Sequence, residues 1–393
     1  MPSSTRKVFV GLSGGVDSSV AALLLQKQGY DVTGVYLKCW SQARLDELGV
    51  PGECPSERDA EDARRVANHL GIPFYVFDLE EEYRKRVVEY LVDGYRRGVT
   101  PNPDVVCNRE IKFGLFLEKA LALGAEYVAT GHYARVRRHT PAQGVSGAMS
   151  EPHPSQKRDA APLFSLFEGK DKQKDQSYFL WTLTQSQLAH TLFPIGDLLK
   201  SEVREIAQKA GLPTAKKKDS QGICFLGDVA LADFVARHIP EKPGDIVTVD
   251  GVKVGEHRGA HLYTVGQRHG LDIRAAQRAL GRKGAITSKP FYVAGTDIAA
   301  NTVTVAEGDD HPALYRKEIR LAEVNIISDT SPTESQQVLA RVRYRQPLAP
   351  AKFVRDGDSY ALIFAEPVKF VAPGQSAVWY SEDGELLGGG VIQ

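Results

Sequence analysis

No stretch of this 393-residue chain approaches the run of about 18 apolar residues that a membrane-crossing helix requires, so a membrane partner is not expected. Net charge is missing too, because 49 lysines and arginines balance 49 aspartates and glutamates. A molecule without a broad field of one sign does not draw in a polyanion from a distance. Any nucleic acid would have to be held by local basic patches, such as those at 215–219 and 341–345. Cysteine is scarce, with four in the whole chain, which excludes a disulfide scaffold and makes the surroundings of each cysteine more informative than their number. The first residues run directly into a strand-like segment, without the apolar core and small-residue cleavage site of an export signal, and the expected location is the cytoplasm.

The chain is rich in alternation. Residues 7–12 have the pattern of a buried strand, 16–29 of a helix stopped by Gly29, and 31–37 of a second strand, together a βαβ unit. Helical patterns at 57–71, 81–98 and 109–124 and strands at 73–79 and 125–134 continue the series. The expectation is a parallel sheet covered by helices on both faces. A Pro-, Gly- and Ser-rich stretch at about 139–162 has no apolar period and is expected to be a mobile surface insertion. Helices at 184–193 and 200–211 complete a first domain, 1–228. A small central α+β domain is expected at 229–290, with a helix at 232–239 and a hairpin turning on Asp250 and Gly251. Beyond Phe291 the short β-rich runs predict a C-terminal β-barrel at 291–393.

The loop between the first strand and helix reads Gly11-Leu12-Ser13-Gly14-Gly15-Val16-Asp17-Ser18-Ser19. Glycines at a helix start let backbone N–H groups and the helix dipole converge on an anion. The spacing matches neither the Walker loop nor the dinucleotide fingerprint. Serine hydroxyls add donors, and Asp17 offers a carboxylate for a magnesium ion bridging phosphates. A strand, SGGVDSS and a helix together resemble the pyrophosphate loop of the ATP-pyrophosphatase (PP-loop) superfamily, whose fold is nucleotide-hydrolase-like and whose members cleave ATP between its α and β phosphates.

Two cysteines narrow the chemistry. Cys107 stands in TPNPDVVCNREIKF just before a probable helix, and Cys224 stands in KKKDSQGICF beside a basic cluster. Helix N-termini and nearby lysines favour thiolate. With ATGHY, KDQSYFL, YTVGQRHGL, RYRQ and PGQSAVWY in the same order, these blocks resemble the tRNA-specific 2-thiouridylase family over nearly the whole chain.

The resemblance implies ATP-dependent 2-thiolation of the wobble uridine in tRNAs for glutamate, glutamine and lysine. ATP adenylates the uracil C2 oxygen, and sulfur then displaces AMP. By motif, Cys107 is the nucleophile, Cys224 carries a persulfide delivered by a cysteine desulfurase or sulfur-relay protein, and Asp104 is an acid/base residue. The ATP set is Gly11, Leu12, Ser13, Gly14, Gly15, Val16, Asp17, Ser18, Leu37 and Gly131, with Mg2+ at Asp17. The tRNA set is Asn102, Pro103, Asp104, His132, Lys174, Asp175, Gln176, Arg343, Tyr344 and Gln375. An iron-sulfur cluster on Asp104, Cys107 and Cys224 is the alternative sulfur route, although a carboxylate ligand would be unusual. Cys39 and Cys54 fall outside the family motifs and lack zinc-site spacing. Another ATP-dependent ligase or amidotransferase sharing the loop would leave both motif cysteines without a task, and so would a non-catalytic nucleotide- or RNA-binding module.

Overall fold

The computed structural model describes residues 5–49, 53–139, 163–219, 231–273, 289–328 and 335–393. The first strand, β1 (Lys7–Gly11), is followed by α1 (Val16–Lys27) and β2 (Asp31–Lys38). Next come α2 (Gln42–Glu47), α3 (Ser56–Leu70) and β3 (Phe74–Asp78). Then α4 (Glu80–Tyr83) passes through a π-helical turn, Arg84–Val88, into α5 (Glu89–Arg96). A second such series runs from α6 (Pro103–Val106) through π-helical Cys107–Leu115 into α7 (Phe116–Ala122) and on to β4 (Tyr127–Ala129). Where the insertion was expected, β5 (Ala134–His139) and β6 (Leu163–Glu168) pair antiparallel as its two flanks; residues 140–162 lie outside the described set.

The helical reading of 184–193 runs too far. Helix α8 (Gln185–Ala189) starts on a capping box between Thr184 and Gln187 and ends at His190, and Thr191–Leu192 forms β7. The open edge of β4 needs backbone partners, and β7 supplies them in parallel, a tertiary demand that helix periodicity does not register. The resulting five-stranded parallel sheet has the order β3-β2-β1-β4-β7. Helix α9 (Lys200–Lys209) closes this unit against α1.

The second unit contains α10 (Leu231–His238), β8 (Gly244–Thr248) and β9 (Lys253–His257), with Gly251 at φ 81° in the expected hairpin turn. The boundary expected after residue 290 cuts through its sheet. Strands β10 (Phe291–Asp297) and β11 (Thr302–Glu307) join it in the order β10-β11-β8-β9, because β11 lies parallel to β8 and completes that edge. The third unit is a closed barrel of β12 (Tyr315–Ile326), β13 (Ser335–Arg341), β14 (Ala349–Asp356), β15 (Ser359–Lys369), β16 (Ser376–Tyr380) and β17 (Leu386–Ile392). Its order is β12-β15-β14-β13-β16-β17, and β17 pairs back to β12, so no edge is left. Among the described residues no helix is long and apolar enough to cross a membrane.

The barrel and the first unit share one core. Phe113, Phe116, Trp181 and Leu188 pack with Ile327, Val378, Tyr380 and Leu386. Trp181 Nε1 donates to Ser376 Oγ at 3.0 Å, and a Cβ at Gly389 would stand 2.4 Å from the Trp181 ring, so glycine alone permits this approach. Beside this core Arg341, almost wholly buried, pairs with Glu168 and lies 3.8 Å from Asp175. Arg341→Ala would leave Glu168 to Lys172 and Asp175 to the hydrogen bonds of its own loop, and the expected loss is about 1–3 kcal/mol of stability. Urea unfolding measures it. Arg341→Lys, which restores a charge, should recover part of the loss.

Candidate active site

In the sheet order, β2 and β3 lie on one side of β1, and β4 and β7 on the other. The direction of winding therefore switches between β1 and β4. Connections leaving the carboxyl ends of those two strands diverge there, which is where open α/β sheets form their ligand crevice. From β1 comes the glycine-serine loop, and from β4 come Thr130, Gly131 and His132.

The loop is built from within. Gly14 adopts φ +71°, and a Cβ there would lie 2.3 Å from the Asp59 carbonyl oxygen. Ser18 Oγ stands 3.2 Å from both Ser13 Oγ and the Gly15 carbonyl, while Ser19 Oγ donates to Gly15 O at 2.7 Å. Thr214 Oγ1 in turn donates to Ser19 Oγ at 2.9 Å. The residue capping α1, Gly15, provides no side-chain hydrogen bond to the helix start. First-turn N–H groups without a side-chain cap fit an anionic ligand, and this donor set suits phosphate oxygens. Across the crevice, a Cβ at Gly131 would stand 2.6 Å from Ser18 N, so any side chain there would enter the loop. Leu12 and Val16 are buried and hold the loop to the core, and Leu37 lies near the end of β2, packed between two apolar clusters.

Asp17 is occupied by neighbours. Both its oxygens lie 2.8 Å from Lys200 Nζ, and Tyr133 donates its hydroxyl at 2.9 Å. Lys200 also reaches Asp219 at 2.9 Å, which Lys174 and Arg204 approach at 2.7 and 2.6 Å. Partial burial pushes the Asp219 carboxyl up, but Lys174 and Lys200 more than offset this and hold it at about 2.

The second half of the site is a short turn at 100–107. Asn102 caps α6 by accepting from Asp104 N and Val105 N at 3.2 and 3.3 Å, and Pro103 occupies the first helical position, where its missing N–H costs nothing. Asp104 is half-buried, and the loss of solvent around it raises its carboxyl above the ordinary range against a smaller opposing pull from Lys112. Cys107 follows one turn later, 6% exposed, within the apolar cluster that also contains Trp40, Tyr83 and Phe234. Cys39 and Cys54 pack against that same cluster. Cys224 lies outside the described residues, and so therefore does the ligand set of a cluster built on it. Among the described residues no group of three His, Cys, Asp or Glu side chains is placed to hold a metal.

The barrel clamps this turn. Gln375 Nε2 donates to Thr100 O at 2.9 Å, Thr100 N donates to Pro373 O at 2.8 Å, and Thr100 Oγ1 lies 2.9 Å from Thr264 Oγ1 of the second unit. Asn108 Nδ2 reaches Phe179 O at 3.1 Å, and the Phe179 ring stands 4.5 Å from Tyr344 of the barrel. Arg343 donates to Val265 O and lies over the Phe370 ring at 5.6 Å. All three units thus meet around Asn102, Asp104 and Cys107.

Several expected RNA contacts are engaged inside the protein. Asp175 is 2% exposed and accepts from Gly169 N, Ser177 N and Ser177 Oγ, which shapes the loop from within. Gln176 binds the Tyr133 backbone through both its N–H and its side-chain oxygen. His132 is buried between Phe113 and Phe193, 2.7 Å from Thr130 Oγ1, and burial drives its pKa well down, so it is a neutral ring. Sequence reasoning missed Lys200, Asp219, Tyr133 and Lys112. Lys200 and Asp219 lie far from the loop in sequence and carry no motif spacing toward it.

Three family models match in succession: a tRNA methyl transferase HUP domain over residues 6–228, a tRNA methyl transferase PRC-barrel domain over 232–307, and an aminomethyltransferase beta-barrel domain over 316–392. The chain is 44% identical over 391 residues to the tRNA-specific 2-thiouridylase MnmA of Lactococcus lactis subsp. lactis, covering 100% of this chain and 95% of that one. It is 46% identical over 387 residues to the protein of that name in Nitrosomonas eutropha, covering 98% of each. A third, from Christiangramia forsetii, is 42% identical over 425 residues, covering 98% of this chain and 100% of that one.

Proposed function

The chain belongs to the tRNA-specific 2-thiouridylase family, and we propose that it is an ATP-dependent tRNA-uridine 2-sulfurtransferase acting on the wobble uridine of glutamate, glutamine and lysine tRNAs. The observation that carries this reading is that Lys112 acts both on His132, in the connection beside the anion-ready helix start at the β1/β4 switch point, and on Asp104, in the turn clamped by all three units. The matching HUP and PRC-barrel models bear methyl-transfer descriptions, but a loop of backbone amides and serine hydroxyls is suited to phosphates rather than to a methyl donor.

When bound, ATP supplies an adenylyl group that makes the uracil C2 oxygen a competent leaving group. The chain's own residues do the rest. Gly14, Gly15 and Ser18 shape the phosphate cradle, Gly131 keeps its far wall open, and Leu37 lines the adenine side. Asn102 and Pro103 fix the turn against which the base is set, and Asp104, protonated more readily than an exposed carboxyl, moves a proton at the base. Cys224 carries the persulfide. The Cys107 thiolate attacks the Cys224 sulfur and forms a Cys107–Cys224 disulfide, while the terminal sulfur leaves as hydrosulfide and displaces AMP from C2. A dithiol reductant or relay protein restores the two thiols. Tyr344, Arg343 and Gln375 bring the barrel to the RNA side of the turn.

Nucleoside mass spectrometry on unmodified glutamate tRNA tests the proposal, with Mg-ATP and a persulfide-generating desulfurase supplied anaerobically. The expected product is 2-thiouridine with AMP and pyrophosphate. AMP formed only when some non-RNA acceptor is present would overturn it.

A further inference from the structure

We propose that Lys200 is a catalytic residue for adenylation, the cation that receives the departing pyrophosphate; the inference deepens the thiouridylase reading and rests on its adenylation step. An ammonium has three donors, and here all three are directed to carboxylate oxygens: Asp17 Oδ1 and Oδ2 at 2.8 Å and Asp219 Oδ1 at 2.9 Å. The side chain is 13% exposed and begins α9, whose backbone start is fixed by Lys200 N donating to Asp171 Oδ2 at 2.9 Å. The ammonium is therefore held against a residue of the phosphate loop itself, the second residue of α1.

Nothing about stability requires that arrangement. A partly buried ion pair brings little net stabilisation once desolvation is counted. Its location is the informative part. The lysine sits at the mouth of a helix start that lacks a side-chain cap, and Lys174 and Arg204 stand one carboxylate away on Asp219. Lys174, Lys200 and Arg204 thus gather on Asp17 and Asp219, with Asp171 at the backbone start of α9 beside them.

Asp17 Oδ1 already accepts from both Lys200 and Tyr133, so a magnesium ion drawn to that carboxylate would compete with the ammonium for it. A bound triphosphate would offer Lys200 phosphate oxygens in place of those of Asp17, and Asp17 would then be free to hold a magnesium ion. As the uracil O2–Pα bond forms, the bond from Pα to the bridging oxygen breaks, and its electron pair leaves with pyrophosphate. The Lys200 ammonium neutralises that growing charge. Asp219 competes for the same ammonium and returns it when pyrophosphate departs.

Two readouts on the full chain decide the matter: calorimetric binding of inorganic pyrophosphate without metal, and the rate of AMP formation with magnesium, ATP and unmodified tRNA. Lys200→Met is expected to weaken pyrophosphate binding ~10- to 100-fold and to slow AMP formation ~10²- to 10³-fold, with tRNA affinity unchanged. Lys200→Arg, which keeps the charge, should recover most of the pyrophosphate affinity. Values for Lys200→Met within about threefold of the parent on both readouts would overturn the proposal. Should that variant fail to fold, Asp219→Asn decides instead: removing the competitor should tighten pyrophosphate binding severalfold, and unchanged or weaker binding counts against Lys200. The two readings fail separately. A parent enzyme that thiolates tRNA while Lys200→Met binds pyrophosphate normally removes only the lysine's role, whereas Lys200-dependent pyrophosphate binding without thiolation removes only the tRNA assignment.

Discussion

Cys107→Ser is expected to lower 2-thiouridine formation by ~10³-fold or more while tRNA-dependent pyrophosphate release continues. The two steps use different parts of the molecule. Pyrophosphate leaves from the loop at the β1/β4 switch point, whereas Cys107 lies at the end of α6, inside an apolar cluster with Trp40 and Tyr83. A serine hydroxyl is a far poorer nucleophile toward a persulfide than a thiolate, so sulfur release stops after the base has been activated. The burial of Cys107 matters in another way. At 6% exposure its sulfur is shielded from solvent oxidants, so the thiol needed at each turnover is preserved. Serine places a hydroxyl among hydrocarbon and should cost about 1–3 kcal/mol. Cys107→Ala, which adds no polar atom, separates that cost from the chemistry. Both variants should lose thiolation alike in quantitative nucleoside analysis. A thiolation rate in either variant within tenfold of the parent would remove Cys107 as the sulfur-releasing nucleophile.

The loop was legible in the sequence because it is a local device, with glycines that allow the positive φ of Gly14 between a strand and a helix. The turn was not: the helix expected from 109 begins at Pro103, capped by Asn102, so Cys107 lies within a helical run and not before one. The parallel sheet was legible for a similar reason, since strands such as β1 and β2 are short buried runs bounded by turn residues. What escaped depends on partners remote in the chain. Thr191 and Leu192 form a strand because β4 offers them an edge, and β10 and β11 belong to the second unit because β8 does the same. Lys200 looks like one surface lysine at a helix start until folding places it on Asp17, 183 residues away. Asp175 shows the reverse failure. Its place in a motif suggests contact with a ligand, and the structure turns the carboxylate inward to bind its own loop. A motif marks which residues matter together without saying which of them face the substrate.

Asp104→Asn should make the protein at least as stable at neutral pH and yet slow thiolation ~10²- to 10⁴-fold. The sign follows from burial. Burial raises the Asp104 carboxyl above its ordinary value, with Lys112 pulling the other way by less. A carboxyl whose pKa is higher in the folded protein than in the unfolded chain favours folding below the unfolded value. That advantage is lost as pH climbs through the raised one, because the folded state must then hold a poorly solvated charge. Asparagine has no charge to bury and so lacks this decline. Urea midpoints compared from pH 4 upward should therefore separate the two proteins progressively, the aspartate form falling relative to the asparagine form until the raised pKa is passed. The backbone need not change, because the cap is made by Asn102 accepting from the amide of residue 104, a bond independent of that side chain. The parent's thiolation rate should depend on a single ionisation above the usual carboxylate range, and that dependence should vanish in the variant. A variant less stable at neutral pH, or one retaining the parent's pH profile, would show that Asp104 only shapes the turn and moves no proton.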